Sequence, residues 1–154
     1  MCIRDRNLYQ TENFANINFQ EYLEHLIANI KQTFNENNIE YVIETHQNSF
    51  DLDTAIPLGL IINELVCNAL KHAFPSNLKG RIEIEICKTT DNTYELQIGD
   101  NGVGVSSDKQ NSNSIGLELV SLLVMQLKGK IQKLDKTGTN YKIIFNDSFS
   151  AIIN

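Results

Sequence analysis

The sequence predicts an α+β domain: a two-layer α/β sandwich whose mixed, mainly antiparallel sheet is covered on one face by helices. Three observations predict it. Apolar residues recur at helical spacing in three segments, near 19–35, 57–74 and 115–128. Others alternate one by one, near 39–46, 82–86, 94–98 and 139–145. The two kinds are interspersed as helix, strand, helix, hairpin, loop, helix, hairpin, which suits one sheet with helices laid on one side.

In chain order, residues 1–18 show no periodicity and read as a connector. Phe19, Leu23, Leu26, Ile27, Ile30 and Phe34 then fall on one helical face, with His25 on the opposite, solvated side. Asn35-Glu-Asn-Asn38 is a turn, and Ile39, Tyr41, Ile43 and Thr45 mark a strand ending near His46.

The segment Pro57-Leu-Gly-Leu-Ile-Ile-Asn-Glu-Leu-Val-Cys-Asn-Ala-Leu-Lys-His-Ala-Phe-Pro75 organises the rest. On a helix its apolar arc contains Leu58, Ile62, Leu65, Val66, Ala69, Leu70 and Ala73. Glu64, Asn68, Lys71 and His72 form a polar row beside it, interrupted by Ile61. Alone, that row reads as an ordinary solvated helix face; the glycine motif downstream is what points to a site. Asp53 or Thr54 can cap this helix, with Pro57 near its first turn, and Phe74-Pro75 ends it.

Ile82, Ile84 and Ile86, then Tyr94, Leu96 and Ile98, alternate with polar residues around the turn Thr90-Asp-Asn-Thr93, a hairpin with one buried face. Its second strand runs into Gly99-Asp-Asn-Gly-Val-Gly104. Gly102 and Gly104 give the backbone access to positive φ and let a ligand approach the main chain. A plain turn would lead back into a strand, but residues 105–114 are polar and aperiodic, and long loops of this kind are often functional. Asn113 or Ser114 can cap the next helix, whose apolar face is Leu117, Val120, Leu123, Val124 and Leu127. Lys128-Gly129 closes it with a cation and a C-terminal glycine. Gly116 thus lies in a first helical turn, where free N–H groups and the helix dipole favour an anion. Strands at 131–134 and 139–145, joined at Lys136-Thr-Gly138, finish the domain. The organisation is a connector at 1–18, a domain at 19–146 and a tail at 147–154.

Composition narrows the function. The chain has 154 residues, 42% hydrophobic and 21% charged, ordinary values for one globular domain. A net charge of −6, with no basic stripe, argues against a nucleic-acid partner. No uninterrupted apolar run reaches membrane-spanning length, and Met1–Arg6 has no apolar signal core, so a cytoplasmic protein is expected. Cys2, Cys67 and Cys87 fit no zinc or redox spacing and read as reduced thiols.

Four motifs in order, Glu64…Asn68-Ala-Leu-Lys-His72, Asp100-Asn-Gly-Val-Gly104, Ser114-Ile-Gly-Leu117 and Gly138-Thr139, resemble the gyrase/chaperone/histidine-kinase/MutL ATPase superfamily. The phrase from Pro57 to Phe74 resembles the ATPase domain of a bacterial sensor histidine kinase of the HisKA_2/HWE-like branch. The resemblance covers about residues 8–146 and implies the Bergerat ATP-binding fold.

It also implies roles. Asp100 would accept a hydrogen bond from the adenine amino group, with Gly102, Val103 and Gly104 bending round the base and Thr139 helping at that end. Asn68 would give an amide oxygen to Mg²⁺, a hard cation that prefers oxygen. Lys71 and His72 would face phosphate oxygens, residues 105–115 would be a lid, and the backbone at Gly116-Leu117 would receive phosphates. Glu64 would either act on the attacking group or organise the metal shell.

A histidine kinase also needs an acceptor histidine on a dimeric helical hairpin. None of His25, His46 and His72 has that setting, so the acceptor hairpin is expected on chain not included in these 154 residues. The implied protein is an ATP- and Mg²⁺-dependent kinase, homodimeric at full length and monomeric as this domain, with a response regulator as partner. A nucleotide-sensing module without catalysis, an anti-sigma-type serine kinase and an ATP hydrolase using Glu64 are the alternatives.

Overall fold

The computed structural model describes residues 17–34, 38–45, 49–72, 79–89, 93–102, 115–134 and 138–146. Of the sequence expectations, His46, the turn at 90–92, Val103, Gly104, the loop 105–114, Cys2 and the ends of the chain fall outside these residues.

A two-residue ribbon opens the described chain: β1 (Ile17–Asn18) pairs antiparallel with β3 (Ser49–Phe50). Elements this short have no alternation to detect, and the sequence reading placed 17–18 in the connector. Between them lie α1 (Phe19–Phe34) and β2 (Ile39–Thr45). Asn18 caps α1, its Oδ1 accepting the Glu21 N–H at 3.2 Å. As the periodicity requires, Phe19, Leu23, Ile27 and Ile30 are the residues α1 buries. Phe50 ties the ribbon to the core, its ring centroid 5.4 Å from Phe19, 5.1 Å from Tyr94 and 5.8 Å from Phe145.

The organising helix, α2, runs Leu52–His72. Its start corrects the sequence reading: Asp51, not Asp53 or Thr54, is the cap. The Thr54 N–H donates to Asp51 Oδ1 at 3.2 Å, and the Ala55 N–H donates to the Asp51 carbonyl at 2.8 Å. Pro57 therefore lies past the first turn, where its missing N–H leaves the carbonyl of Asp53 without that helical bond. Leu58, Ile61, Ile62, Leu65 and Val66 are buried, so Ile61 belongs to the core side rather than the polar row. Residues 52–71 are long and apolar enough for a membrane span by length and composition, but this face packs into the core beneath α1 and the sheet. That is the ordinary state of a central core helix.

Five strands form the main sheet in the order β2-β4-β5-β7-β6, with β4 (Gly80–Lys88), β5 (Thr93–Asp100), β6 (Lys130–Leu134) and β7 (Asn140–Asn146). β2 and β4 are parallel, Ile39 opposite Gly80, and α2 is in the connection between them. The other pairs are antiparallel. The expected α+β architecture is thus present. Period two sends Ile82, Ile84 and Ile86 inward on β4 and Tyr94, Leu96 and Ile98 inward on β5. The next inward position on β5 is Asp100, which is buried for the same reason.

The last helix, α3 (Ile115–Gln126), packs beside α2. Val120, Leu123, Val124 and Leu127 are buried, as expected. Its C-terminus differs from expectation in one residue. The left-handed position belongs to Lys128, at φ 57°, while the Gly129 N–H bonds back to the Val124 carbonyl at 2.9 Å. This is a Schellman arrangement with lysine where glycine is usual. Gly129 is needed for another reason: a Cβ there would collide with the carbonyl oxygen of Ile144 on β7.

Candidate functional site

Two clusters of the sequence-predicted residues come together, one on the helices and one at the end of the sheet. On the helices, Glu64, Asn68 and Lys71 follow one another along α2, the first two half-buried and Lys71 exposed. The first turn of α3 rests against them. A Cβ at Gly116 would lie 3.0 Å from Glu64 Oε2 and 3.6 Å from Asn68 Nδ2. The N-terminal turn of a helix has N–H groups without intrahelical partners and the positive end of its dipole. A carboxylate and an amide therefore face a place that favours negative charge. Leu117 is half-buried and packs against the core, fixing the turn from below.

The charges on α2 also act on Cys67. Burial and the Glu64 carboxylate push its thiol pKa up, and Lys71 opposes them. The thiol stays protonated and is no nucleophile at neutral pH. His72 ends α2; its side chain is outside the described residues.

At the end of β5, Asp100 is 6% exposed. Its Oδ1 accepts the Gly102 N–H at 2.9 Å and the Thr139 N–H at 3.3 Å. The backbone closes round it: the Asp100 N–H donates to the Thr139 carbonyl at 3.0 Å, and Asn140 Nδ2 donates to the Asp100 carbonyl at 3.4 Å. Gly138, at φ 81°, makes this approach possible, because a Cβ there would strike the Asp100 carbonyl. Asn101 fastens the strand end to β4, its Oδ1 accepting the Arg81 N–H at 2.7 Å. Burial raises the Asp100 pKa, and the Gly102 and Thr139 N–H groups oppose that rise. Asp100 in turn raises the pKa of Tyr141, after burial the second cause.

This end of the sheet fits a ligand with a polar edge. Among the described residues no donor reaches Asp100 Oδ2, while Oδ1 is spent on the backbone. The hydroxyl of Thr139 is buried and has no partner among them. Buried polar atoms normally find one, so a bound group with a donor for Oδ2 suits this place. Among the described residues no cluster of three or more His, Cys, Asp or Glu could hold a metal. Any metal here would need most of its oxygens from elsewhere, as Mg²⁺ commonly takes them from water and phosphate.

Sequence reasoning missed Asp51, Asn101 and Tyr141. Asp51 was detectable as a cap candidate just before Asp53; the other two act through contacts between strands that no spacing announces.

Comparison with known proteins gives the family. Residues 53–148 match the family described as histidine kinase-, DNA gyrase B-, and HSP90-like ATPase. A curated relative, blue-light-activated histidine kinase 2 of Erythrobacter litoralis, is 27% identical over 82 residues, spanning 52% of this chain and 24% of that protein. The chain thus spans about a quarter of the curated relative it matches. Among solved structures, the histidine kinase domain of an Erythrobacter litoralis blue-light-activated histidine kinase superposes with a TM-score of 0.77 at 22% identity, covering 90% of this chain and 67% of that one. The Acinetobacter baumannii histidine kinase AdeS superposes with a TM-score of 0.68 at 17% identity, covering 86% and 66%. The family match covers more than half of the chain and includes Glu64, Asn68, Asp100, Gly116 and Thr139: the chain belongs to the histidine kinase-, DNA gyrase B-, and HSP90-like ATPase family, and is an ATP-binding domain.

Proposed function

We propose that this chain is the ATP- and Mg²⁺-binding catalytic domain of a two-component sensor histidine kinase, which transfers the γ-phosphoryl group of ATP to a histidine on a hairpin outside these residues. The observation that carries the reading is Asp100, buried with one carboxylate oxygen held by two backbone N–H groups and the other without a described donor. A rigid acceptor of this kind selects the amino group of adenine, whereas guanine presents a carbonyl oxygen there.

The remaining residues take roles by position. The first turn of α3 at Gly116-Leu117 attracts phosphates through its free N–H groups. Lys71, exposed one turn beyond Asn68, adds a cation for phosphate oxygens, with His72 beside it. Gly102, Val103 and Gly104 flank the base. The Asn68 amide oxygen is the protein ligand for Mg²⁺, which when bound neutralises charge developing on the phosphates. Glu64 beside Gly116 is placed to organise the metal shell or to act on the attacking group. In-line attack depends on holding the acceptor near the γ-phosphate, and positioning supplies much of the rate. A dimeric acceptor hairpin, a response regulator and a cytoplasmic site of action belong to the same proposal.

The test is calorimetry of ATP with and without Mg²⁺, followed by labelling with radioactive ATP in the presence of a separately supplied acceptor hairpin. The expected result is Mg²⁺-dependent binding and acid-labile label on the hairpin. Binding without transfer favours the nucleotide-sensing module, acid-stable label a serine kinase, and phosphate release alone a hydrolase using Glu64.

A further inference from the structure

We infer that Asn140 is a positioning residue of the base site: its amide holds the main chain of Asp100 so that the carboxylate oxygen Oδ2 keeps its aim. The inference rests on the nucleotide reading above and adds a residue to it. Gly99 and Asn140 stand opposite each other on β5 and β7. Ile98 and Asp100 turn inward, so Gly99 and Asn140 share the outer face of the sheet, away from the helices. In the other β5–β7 pairs on that face both partners have side chains, as in Thr93 and Asn146, which bond to each other at 3.2 Å. At Gly99 the space above the strand is filled by Asn140, since a Cβ there would collide with its Oδ1. The same side chain sends Nδ2 to the Asp100 carbonyl at 3.4 Å.

This bond replaces one that the site gives up. Facing residues of a hydrogen-bonded antiparallel pair exchange two bonds, each N–H meeting the other's carbonyl. Asp100 and Thr139 make the first, from the Asp100 N–H to the Thr139 carbonyl at 3.0 Å. The Thr139 N–H turns instead to Asp100 Oδ1, at 3.3 Å. That diversion orients the carboxylate and takes the ladder donor away from the Asp100 carbonyl. Asn140 Nδ2 supplies a donor from the outer face. The nitrogen of the same peptide is fixed from the other side, where the Asn101 N–H donates to the Arg81 carbonyl at 3.2 Å. This peptide joins Asp100 to the turn whose Gly102 N–H grips Oδ1, so its orientation sets the direction of the carboxylate. Asn140 lies on the far side of the sheet from the base and acts through Asp100.

The experiment compares ATP with inosine triphosphate on the whole 154-residue chain by calorimetry. The two ligands share ribose and phosphates, but inosine has a carbonyl where adenine has its amino group. The parent is expected to prefer ATP. Asn140→Leu keeps the shape of the side chain, removes the donor and suits a strand better than asparagine. It is expected to bind ATP about three- to tenfold more weakly, the worth of one neutral hydrogen bond, and inosine triphosphate as the parent does. Asn140→Ala carries the same expectation and needs no new side chain to be accommodated. Gly99→Ala should lower the preference too, because its methyl displaces the Asn140 amide, and should lower it no further in an Asn140→Ala background. Thermal melts control for folding. An unchanged preference in the Asn140 variants, or an equal loss for both ligands, overturns the inference. If Asp100→Asn still lowers the preference in that case, the nucleotide reading stands without Asn140. A parent chain that binds no ATP overturns both.

Discussion

Gly116 rests against Glu64, close enough that a Cβ at 116 would stand 3.0 Å from the carboxylate oxygen Oε2. The contact joins the first turn of α3 to the polar row of α2, two segments about 50 residues apart in sequence. The neighbour that must give way is the tip of a flexible side chain. Gly116→Ala should therefore change stability by less than about 1 kcal/mol, with alanine's better helix propensity offsetting the crowding. It should still weaken nucleotide binding roughly three- to tenfold, because the displaced Glu64 enters the phosphate end. Thermal melts and calorimetry on one preparation check both halves, and a large loss of stability with normal binding would contradict the placement.

Asp100 should show opposite effects on stability and on binding. Asp100→Asn keeps an oxygen for the Gly102 and Thr139 N–H groups but presents an amide donor to the adenine amino group. ATP binding should fall by about 1–3 kcal/mol. Stability at neutral pH should hold or rise by about 1 kcal/mol, because a buried charge is gone.

The pH dependence of that stability follows from the direction of the Asp100 shift. Burial raises its folded-state pKa above the ordinary carboxylate value, so the folded chain binds the proton more readily than the unfolded one. Its contribution to stability is most favourable at acid pH and is lost as pH rises from the ordinary carboxylate value through the raised one. Denaturant titrations of the parent and of Asp100→Asn should therefore converge as pH falls through that window.

The end of α3 offers a stabilising change. Lys128 occupies a left-handed conformation that costs a residue with a Cβ about 1 kcal/mol. Lys128→Gly should raise stability by about 0.5–1 kcal/mol in chemical denaturation. Gly129→Ala should do the reverse by at least about 2 kcal/mol, since the clash partner is the backbone carbonyl of Ile144 and cannot rotate away.

Asp51 should prove a structural residue. Its Oδ1 and carbonyl satisfy the Thr54 and Ala55 N–H groups at the start of α2. Asp51→Ala should cost about 1–2 kcal/mol, while Asp53→Ala, two residues on, should cost less than about 0.5 kcal/mol. Equal losses would restore Asp53 as the cap.

Local periodicity sets most of the elements and their buried faces. A period of two fixes which side of a strand turns inward, so Tyr94, Leu96, Ile98 and then Asp100 were bound to share a face. A period near 3.6 did the same for Leu58, Ile62, Leu65 and Val66 on α2. The four motifs needed no more than their order. What the tertiary structure decided is adjacency. Alternation names a strand's inner face but not its neighbour, so the parallel seating of β2 on β4, and the antiparallel seating of β7 on β5 with Tyr141 opposite Ile98, came only with the sheet. Caps depend on how the chain enters and leaves a helix, so the choice of Asp51 over the equally suited Asp53, and of Lys128 over the better suited Gly129, came with the packing. The meeting of Glu64, Asn68 and Gly116 is likewise a product of packing: two helices far apart in sequence meet because their apolar faces are buried in one core.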